Sequence, residues 1–563
     1  MKWIFPKKFK KNILKQLLLA RDLKSKAEQE IFLNPDYERD MHDPYLMKDM
    51  KKAVKRILQA VEKKQKICIF ADYDADGVTA ATILTKTLDY LGKKPIVYIP
   101  DRSKEGYGLN LGAIKELAQK KVNLIITVDC GITDISEINL ANKLGIDVII
   151  TDHHEVPEKV PNAFAIVNPK QKQCKYPFKN LAGCGVAFKL AQGLVMPHDT
   201  KRQAFLKWLL DLVAIGTVAD CMPLFGENRV IVKYGLIVLS KTKILGLKEL
   251  IKISRIENSK LSSYSLGFQI GPRLNAAGRM DHANTAYKLL NTNSQNRAKK
   301  IALQLDRKNS RRQRLTDKII KSVKKAICNA SNELKDEKNK LIFAANKNWP
   351  IGVLGLSAGR ICDEFSRPVI LISKSITPAK GSGRSLEGLN LVDAITKCDK
   401  LLKEYGGHAQ AIGLSVMSRN IKKLKQKINR IINKELKNKK LVPKLFIDAE
   451  VNARDLNLVF CGELERLEPF GQGNHSPNFL IRNLKIREMR CVGNGNSHLR
   501  MILTDFKNPR KQYKAIGFNC AHMGDDLKIG DLIDMVFKLE IDEWSGRRNV
   551  QLKIVDLKLN KKL

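Results

Sequence analysis

The chain has no run of about 18 uninterrupted apolar residues. Its Lys-rich start passes into Arg21 and Asp22 without the small-residue cleavage site of a secretory leader. Membrane insertion and export are therefore not expected. Its eleven cysteines are odd in number and scattered, and none is spaced as a CxxC pair. That excludes a disulfide framework and a zinc ribbon and fits a reducing cytoplasm. No fixed period recurs, which argues against solenoids and propellers. Acidic residues are scarce beside basic ones, 58 against 101, for a net charge of +43. Such an excess repels itself unless a polyanion relieves it, so nucleic acid is the expected partner, although a coding bias toward Lys, Asn and Ile raises the charge in the same direction. At 563 residues, 44% hydrophobic and 28% charged, the composition is that of a globular protein too long for one core.

The order of patterns predicts an α/β chain in several parts. Residues 1–50 read as a basic, helical N-terminal extension. Over 51–283, amphipathic stretches alternate with the aliphatic runs Ile67–Phe70, Leu124–Val128, Val148–Ile150 and Leu212–Ile215, the rhythm of a parallel sheet covered by helices on both faces. In such a sheet the active site lies beyond the carboxyl ends of the strands. Residues 284–335, including LQLDRKNSRRQRL, read as a long basic connector helix, and a second α/β domain follows over 336–440. From 441 to 563, alternating segments such as Phe479–Ile486, Leu499–Leu503 and Val550–Leu557, with turns at Gly493–Gly495 and Ser545–Gly546, predict a small OB-like β-barrel.

The sharpest local feature is KICIFADYDADG, where an aliphatic run ends in Asp72, Asp74 and Asp76. Residues two apart on an extended segment face the same way, and three converging carboxylates require a cation between them. An EF-hand loop opens similarly, but its twelfth position here is Ile83 where a bidentate Glu is needed, and an aliphatic strand precedes it. A solvated acidic turn is the plainer alternative. The pattern recurs, however: LIITVDCG ends in Asp129, DVIITDHH in Asp152, His153 and His154, and LVAIGTVADC in Asp220. One Asp at such a place is ordinarily a helix cap; four strand exits ending in ligand types predict a hard or borderline ion, Mn²⁺ or Mg²⁺. Two ions are expected, bridged by a central carboxylate such as Asp129 and suited to hydrolysis at phosphorus.

In that order, DYDADG, VDCG, the triplet Asp152–His154 and GTVADCMPL resemble the four motifs of the DHH phosphoesterases, and YGGHAQAIGLSV resembles the signature of their associated second domain. PDRSKEGYGLN, GPRLNAAGRM, GSGRS and LEPFGQGN narrow the resemblance to the branch acting on single-stranded DNA. One departure is Phe70, where many members carry a metal-binding His; the DxDxD pattern of this branch lets Asp72 compensate. The resemblance implies metal ligation by Asp72, Asp74, Asp76, Asp129, His153 and Asp220, with His154 facing the scissile phosphate or orienting a ligand. Asp76, Asp129 and His154 are the expected catalytic centre. Arg102, Arg279, Ser382, Arg384, Gly406, Gly407 and His408 are expected to hold substrate, the arginines because a planar fork matches a terminal phosphate.

The function so implied is 5′ to 3′ exonucleolytic degradation of single strands, with a helicase and a single-strand-binding protein as candidate partners. A phosphodiesterase for short oligonucleotides or cyclic dinucleotides is the alternative within the family, and a non-catalytic nucleic-acid scaffold the alternative outside enzymes. Against these stand the C-terminal barrel and the intact ligand positions. In the barrel, Phe470, Phe479, Tyr513 and Trp544 are the aromatics available for stacking or for the core.

Overall fold

The computed structural model describes residues 1–6, 12–102, 104–195, 200–257, 260–329, 339–437, 441–505, 508–542, 546 and 548–560. The first sheet runs Ile96–Tyr98, Ile67–Ala71, Leu124–Val128, Asp147–Thr151, Ala165–Val167, all parallel. Its central strands Ile67–Ala71 and Leu124–Val128 are buried at every position, as unbroken aliphatic runs require when helices cover both faces. Register aligns their ends: Ala71 pairs with Val128, Val128 with Thr151, and Thr151 with Val167. The residues that follow, Asp72, Asp129 and Asp152, therefore leave the sheet side by side.

The fourth aliphatic run is a correction. Leu212–Ile215 belongs to the helix Leu210–Ala219, not to a strand, and Asp220 caps its C-terminus. The run is apolar because that helix is buried among others, a pattern periodicity alone does not separate from a buried strand. Nor does DYDADG continue as extended chain. Asp74 is the N-cap of the helix Ala75–Tyr90, with Oδ1 accepting from the N–H groups of Asp76 and Gly77. A helical first turn, not strand alternation, brings Asp76 back toward Asp72, and a Cβ at Gly77 would lie 2.5 Å from the Asp72 carbonyl oxygen.

The connector comprises two helices, Asn284–Leu290 and Gln295–Asn329, and the rest of the expected span to 335 lies outside the described residues. The second sheet has the order Leu402–His408, Ala411–Val416, Ala379–Arg384, Val369–Ser373, Ile342–Asn346. GSGRS is thus largely strand rather than loop: a Cβ at Gly383 would meet Ile412 and Leu391, so that glycine answers to lack of room and not to a turn. The C-terminal strands Phe479–Val492, His498–Asp505, Asn508–Gly517, Asn549–Leu559 and Leu532–Asp542 neighbour one another in that order, and the last pairs back with the first, closing a five-stranded barrel. Asn508–Gly517 and Asn549–Leu559, its third and fifth strands in chain order, run parallel, the order of an OB-fold.

The N-terminal segment is not wholly helical. Lys2–Ile4 is a strand paired in parallel with Lys444–Phe446, and Leu17, Leu18 and Phe32 from the following helices join the core of the barrel. Arg229, on the helix Gly226–Ser240, ties these parts together by donating to the carbonyls of Phe32, Arg466, Leu467 and Glu468. No helix of the described residues is long and apolar enough to cross a membrane.

Candidate active site

The aligned strand ends, the first turn of Ala75–Tyr90 and the C-terminus of Leu210–Ala219 meet at one point. There His153 Nε2 lies 3.1 Å from Asp129 Oδ1, 3.5 Å from Asp220 Oδ2 and 3.9 Å from Asp76 Oδ2. Asp72 and Asp74 close the other side, with ligand atoms within 4.8 Å of one another and of Asp129. All six expected ligands are therefore together. Asp76 is aimed by the N–H groups of Gly183 (2.6 Å) and Cys184 (2.9 Å). Gly183 and Gly216 leave the space: a Cβ on the first would sit 2.7 Å from Asp129 Oδ1, and on the second 2.6 Å from Asp76 Oδ1.

Several of these buried atoms lack hydrogen-bond partners among the described residues, namely Asp72 Oδ1, Asp129 Oδ1 and both ring nitrogens of His153. Unpaired buried acceptors are costly and need a reason. Burial, and then the neighbouring carboxylates, push Asp129 and Asp72 well above the ordinary carboxylate range, and Asp220 up to about 8. Burial lowers His153, favouring the neutral imidazole that serves as a ligand. Carboxylates short of donors around a neutral imidazole fit divalent cations.

His154 has a different environment. Its Nδ1 lies 2.8 Å from Asp152 Oδ1, which also accepts from the N–H groups of His153 and His154, while Asp152 Oδ2 accepts from Ile132 N–H. Burial opposes protonation, but the Asp152 hydrogen bond and charge overcome it and raise His154 to about 9. Asp152 orients the triplet, a role that position alone did not separate from ligation. Two further residues went unassigned in the sequence. Tyr107 donates to the Asp129 carbonyl and lies 3.2 Å from His154 Nδ1, and Asn275 accepts from Ala75 N–H. Both sit inside quoted motifs, PDRSKEGYGLN and GPRLNAAGRM, which were their only signal. Phe70 is buried and stacks on Tyr98, with ring centroids 5.0 Å apart, as a core residue.

The substrate candidates occupy the facing domain and the edge of the site. Across three strands Ser382 is in register with Gly413 and Gly406, and Arg384 with Ala411 and His408, so these residues line one face. A Cβ at Gly406 or Gly413 would meet nothing within 4 Å, so crowding by the described residues does not account for those glycines. Gly407 does need to be glycine, with φ of +136° and the Ala411 carbonyl against its Cα. Glu155 is lowered chiefly by its Lys170 ion pair, with a smaller contribution from His408, so His408 lies in the neighbourhood of Glu155. Arg102 covers the Tyr73 ring at 4.9 Å, and Arg384 hydrogen-bonds Ser382 Oγ at 3.2 Å. On the barrel, Phe479 and Tyr513 are core, Phe470 is half-buried, and Trp544 and Ser545 lie outside the described residues. An exposed ring beside the barrel is Phe518, 52% exposed, flanked by His498 and Lys553.

Three family models match consecutive parts: the DHH family N-terminal domain over 66–217, the DHHA1 domain over 338–434 and the RecJ OB domain over 447–556. The single-stranded-DNA-specific exonuclease RecJ of Haemophilus influenzae is 33% identical over 96% of this chain and 95% of its own length. This chain belongs to the RecJ family. The RecJ of Bacillus subtilis is 37% identical over 97% of the chain and 67% of its own. Among solved structures, RecJ from Thermus thermophilus in complex with Mn²⁺ superposes with a TM-score of 0.81 at 27% identity, covering all of this chain and 80% of that one. The same RecJ in complex with Mg²⁺ gives 0.76 at 26%.

Proposed function

We propose that this chain is a 5′ to 3′ exonuclease that hydrolyses single-stranded DNA to mononucleotides with two divalent cations, Mn²⁺ or Mg²⁺, in DNA repair and recombination. The observation that carries this reading is the set of unpartnered carboxylate and imidazole atoms at aligned strand ends, in a chain whose RecJ relatives are named for that activity. Asp72, Asp74, Asp76, Asp129, His153 and Asp220 would hold the ions. Divalent cations bound there would supply polarisation of the phosphoryl oxygens and a lowered pKa for the attacking water.

The rest is the chain's own work. His154, held protonated by Asp152 up to about pH 9, offers a cation to the scissile phosphate and a proton to the leaving 3′ oxygen. Tyr107 keeps its ring in place. Arg102, Arg279, Ser382 and Arg384 take the 5′ end, and Gly406, Gly407 and His408 let the sugar–phosphate backbone lie close to the facing sheet. The barrel grips the strand further along through backbone charge, with Phe518 as a stacking ring. The site of action is the cytoplasm, with a helicase supplying single strands and a single-strand-binding protein covering them.

Nucleotide release from 5′-phosphorylated single strands, compared with cyclic dinucleotides and with strands lacking added Mn²⁺, tests the proposal. Metal-dependent mononucleotide release from long strands is expected. Turnover of cyclic dinucleotides alone would return the chain to the small-substrate phosphodiesterases, and absence of turnover would leave a scaffold.

A further inference from the structure

The connector helix Gln295–Asn329 carries a regular inner stripe: Leu305, Asn309, Thr316, Ile319 and Val323 are each 3% exposed or less. The intervals are three and four residues, and of the two positions that would complete them between 309 and 316, Gln313 is exposed and Arg312 half-buried, so Arg312 continues the stripe. An arginine thus stands in the inward stripe of a helix whose other arginines and lysines have a solvent face available. Its Nε is buried without a hydrogen-bond partner among the described residues, and so is Oδ1 of Asn309 one turn earlier. Among the described residues no carboxylate lies within ion-pair distance of Arg312. Its neighbours differ: Arg273 pairs with Asp306 at 2.8 Å, Lys308 with Asp281 at 2.6 Å, and Arg360 with Asp317 at 3.0 Å.

Those pairs also fix where Arg312 lies. It falls between the contact of Lys308 with Asp281, at the end of the helix that carries Arg279, and the contact of Asp317 with Arg360 on the helix Leu354–Phe365. The start of that second helix abuts the other arginines. A Cβ at Gly352 would strike the Arg279 carbonyl, and one at Gly355 would come within 2.9 Å of Arg384 Nη2 and 3.1 Å of Ser382 Oγ. Burial, and then the charges of Arg102, Arg312 and Arg384, lower Arg279 to about 10, although Asp74 acts against this. Like Arg312, none of Arg102, Arg279 and Arg384 has a carboxylate partner among the described residues. Asp74 near Arg279 and Asp317 near Arg312 offset these four cations only in part, and an anion at their centre converts the remaining repulsion into binding.

We propose that Arg312 is a fourth arginine of the pocket that takes the terminal 5′ phosphate, so that the connector helix supplies a substrate contact as well as a span between domains. This rests on the reading that Arg279, Ser382 and Arg384 receive the 5′ end. Charge loss at the pocket is expected to act on the phosphate-bearing end more than on the strand.

Arg312→Gln, Arg312→Lys, Arg384→Ala and, as a surface control, Arg311→Gln, whose side chain is exposed, are compared with wild type in full-length protein with Mn²⁺, using strands with a 5′ phosphate or a 5′ hydroxyl. For Arg312→Gln the KM ratio between hydroxyl and phosphate ends should fall about 10- to 100-fold, the range of one charge-assisted contact. The phosphate-end KM should change more than kcat. Arg312→Lys should recover part of the ratio, because an ammonium lacks the planar fork, and Arg311→Gln should keep it. An unchanged ratio in Arg312→Gln, with a reduced one in Arg384→Ala, overturns this inference and spares the pocket. No end preference in wild type overturns the pocket itself. If the glutamine variant does not fold, phenylglyoxal labelling of wild type decides: protection of Arg312 by phosphate-ended but not hydroxyl-ended strands is expected, and equal labelling refutes it.

Discussion

Replacing Asp129 by asparagine separates the charge of the site from its shape. Asp129 has φ of +62°, a left-handed backbone that Asn accepts and that costs Ala roughly 1 to 2 kcal/mol, so Asn is the cleaner probe. Its ligand atom lies within 4.8 Å of those of Asp72 and Asp74. With an effective dielectric of about 20, each ionised pair at that range costs ~3.5 kcal/mol. Burial and mutual repulsion keep some of these groups protonated at neutral pH, so the relief expected without metal is about 2 to 4 kcal/mol, or roughly 5 to 15 °C in melting temperature. The pH dependence has a definite sign. A carboxyl whose folded pKa is raised leaves stability intact below its unfolded pKa and removes it as pH rises; Asp220, at about 8, marks the top of that window. In EDTA, then, Asp129→Asn should melt above wild type at pH 8, and the gap should narrow toward pH 5. With saturating Mn²⁺ the order should reverse, because wild type regains its ions, and hydrolysis should fall on the order of 10³-fold in the variant. A variant that melts below wild type in EDTA at pH 8, or keeps a tenth of the activity in Mn²⁺, would refute the placement of Asp129 among the ligands.

Arg384→Ala should lower affinity for 5′-phosphorylated ends by about 1.5 to 3 kcal/mol while changing long-strand binding less, read from KM on both end types; equal losses would move the end pocket elsewhere. Asp152→Asn should shift the alkaline limb of the pH–rate profile to lower pH, since the carboxylate is what holds His154 near 9, and an unmoved limb would assign that limb to another group. Truncation after residue 440 alone would strand Leu17, Leu18 and Phe32, which pack on the barrel, so the informative chain is 35–440. It should retain metal-dependent hydrolysis at high DNA concentration, with weaker binding and a shallower salt slope; full affinity for long strands would make the barrel a docking module. Phe518→Ala should weaken strand binding by about 1 to 3 kcal/mol in a fluorescence titration, and an unchanged isotherm would assign the grip to charge alone.

How far the sequence could be read depended on the range of the interaction that decided each feature. The strands ending at Asp72, Asp129 and Asp152 were legible because burial on both faces writes itself as an unbroken aliphatic run. Leu212–Ile215 carried the same mark for the opposite reason, a helix with no solvent face. The ligand set was legible by residue type, but the route by which Asp76 reaches it was not, since capping by Asp74 depends on a turn whose start no local pattern marks. Asp152 could be placed at the site but not given its orienting role without seeing which oxygen His154 faces. Phe479 and Tyr513 show the limit for aromatics: core and platform use the same residue types, and only burial distinguishes them.

The pairing of Lys2–Ile4 with Lys444–Phe446 bears on how the protein is made. A ribosome adding about 5 to 20 residues per second leaves the early strand waiting roughly 20 to 90 s for its partner to emerge. Throughout that interval Leu17, Leu18 and Phe32 have no barrel to cover them, and the two intervening α/β units must fold around an unfinished beginning. Completion of the N-terminal region is therefore a late event in synthesis and folding. A nascent chain halted before residue 444 should expose its first helices to proteases and chaperones, although the acidic centre, built from residues 72 to 220, is already complete.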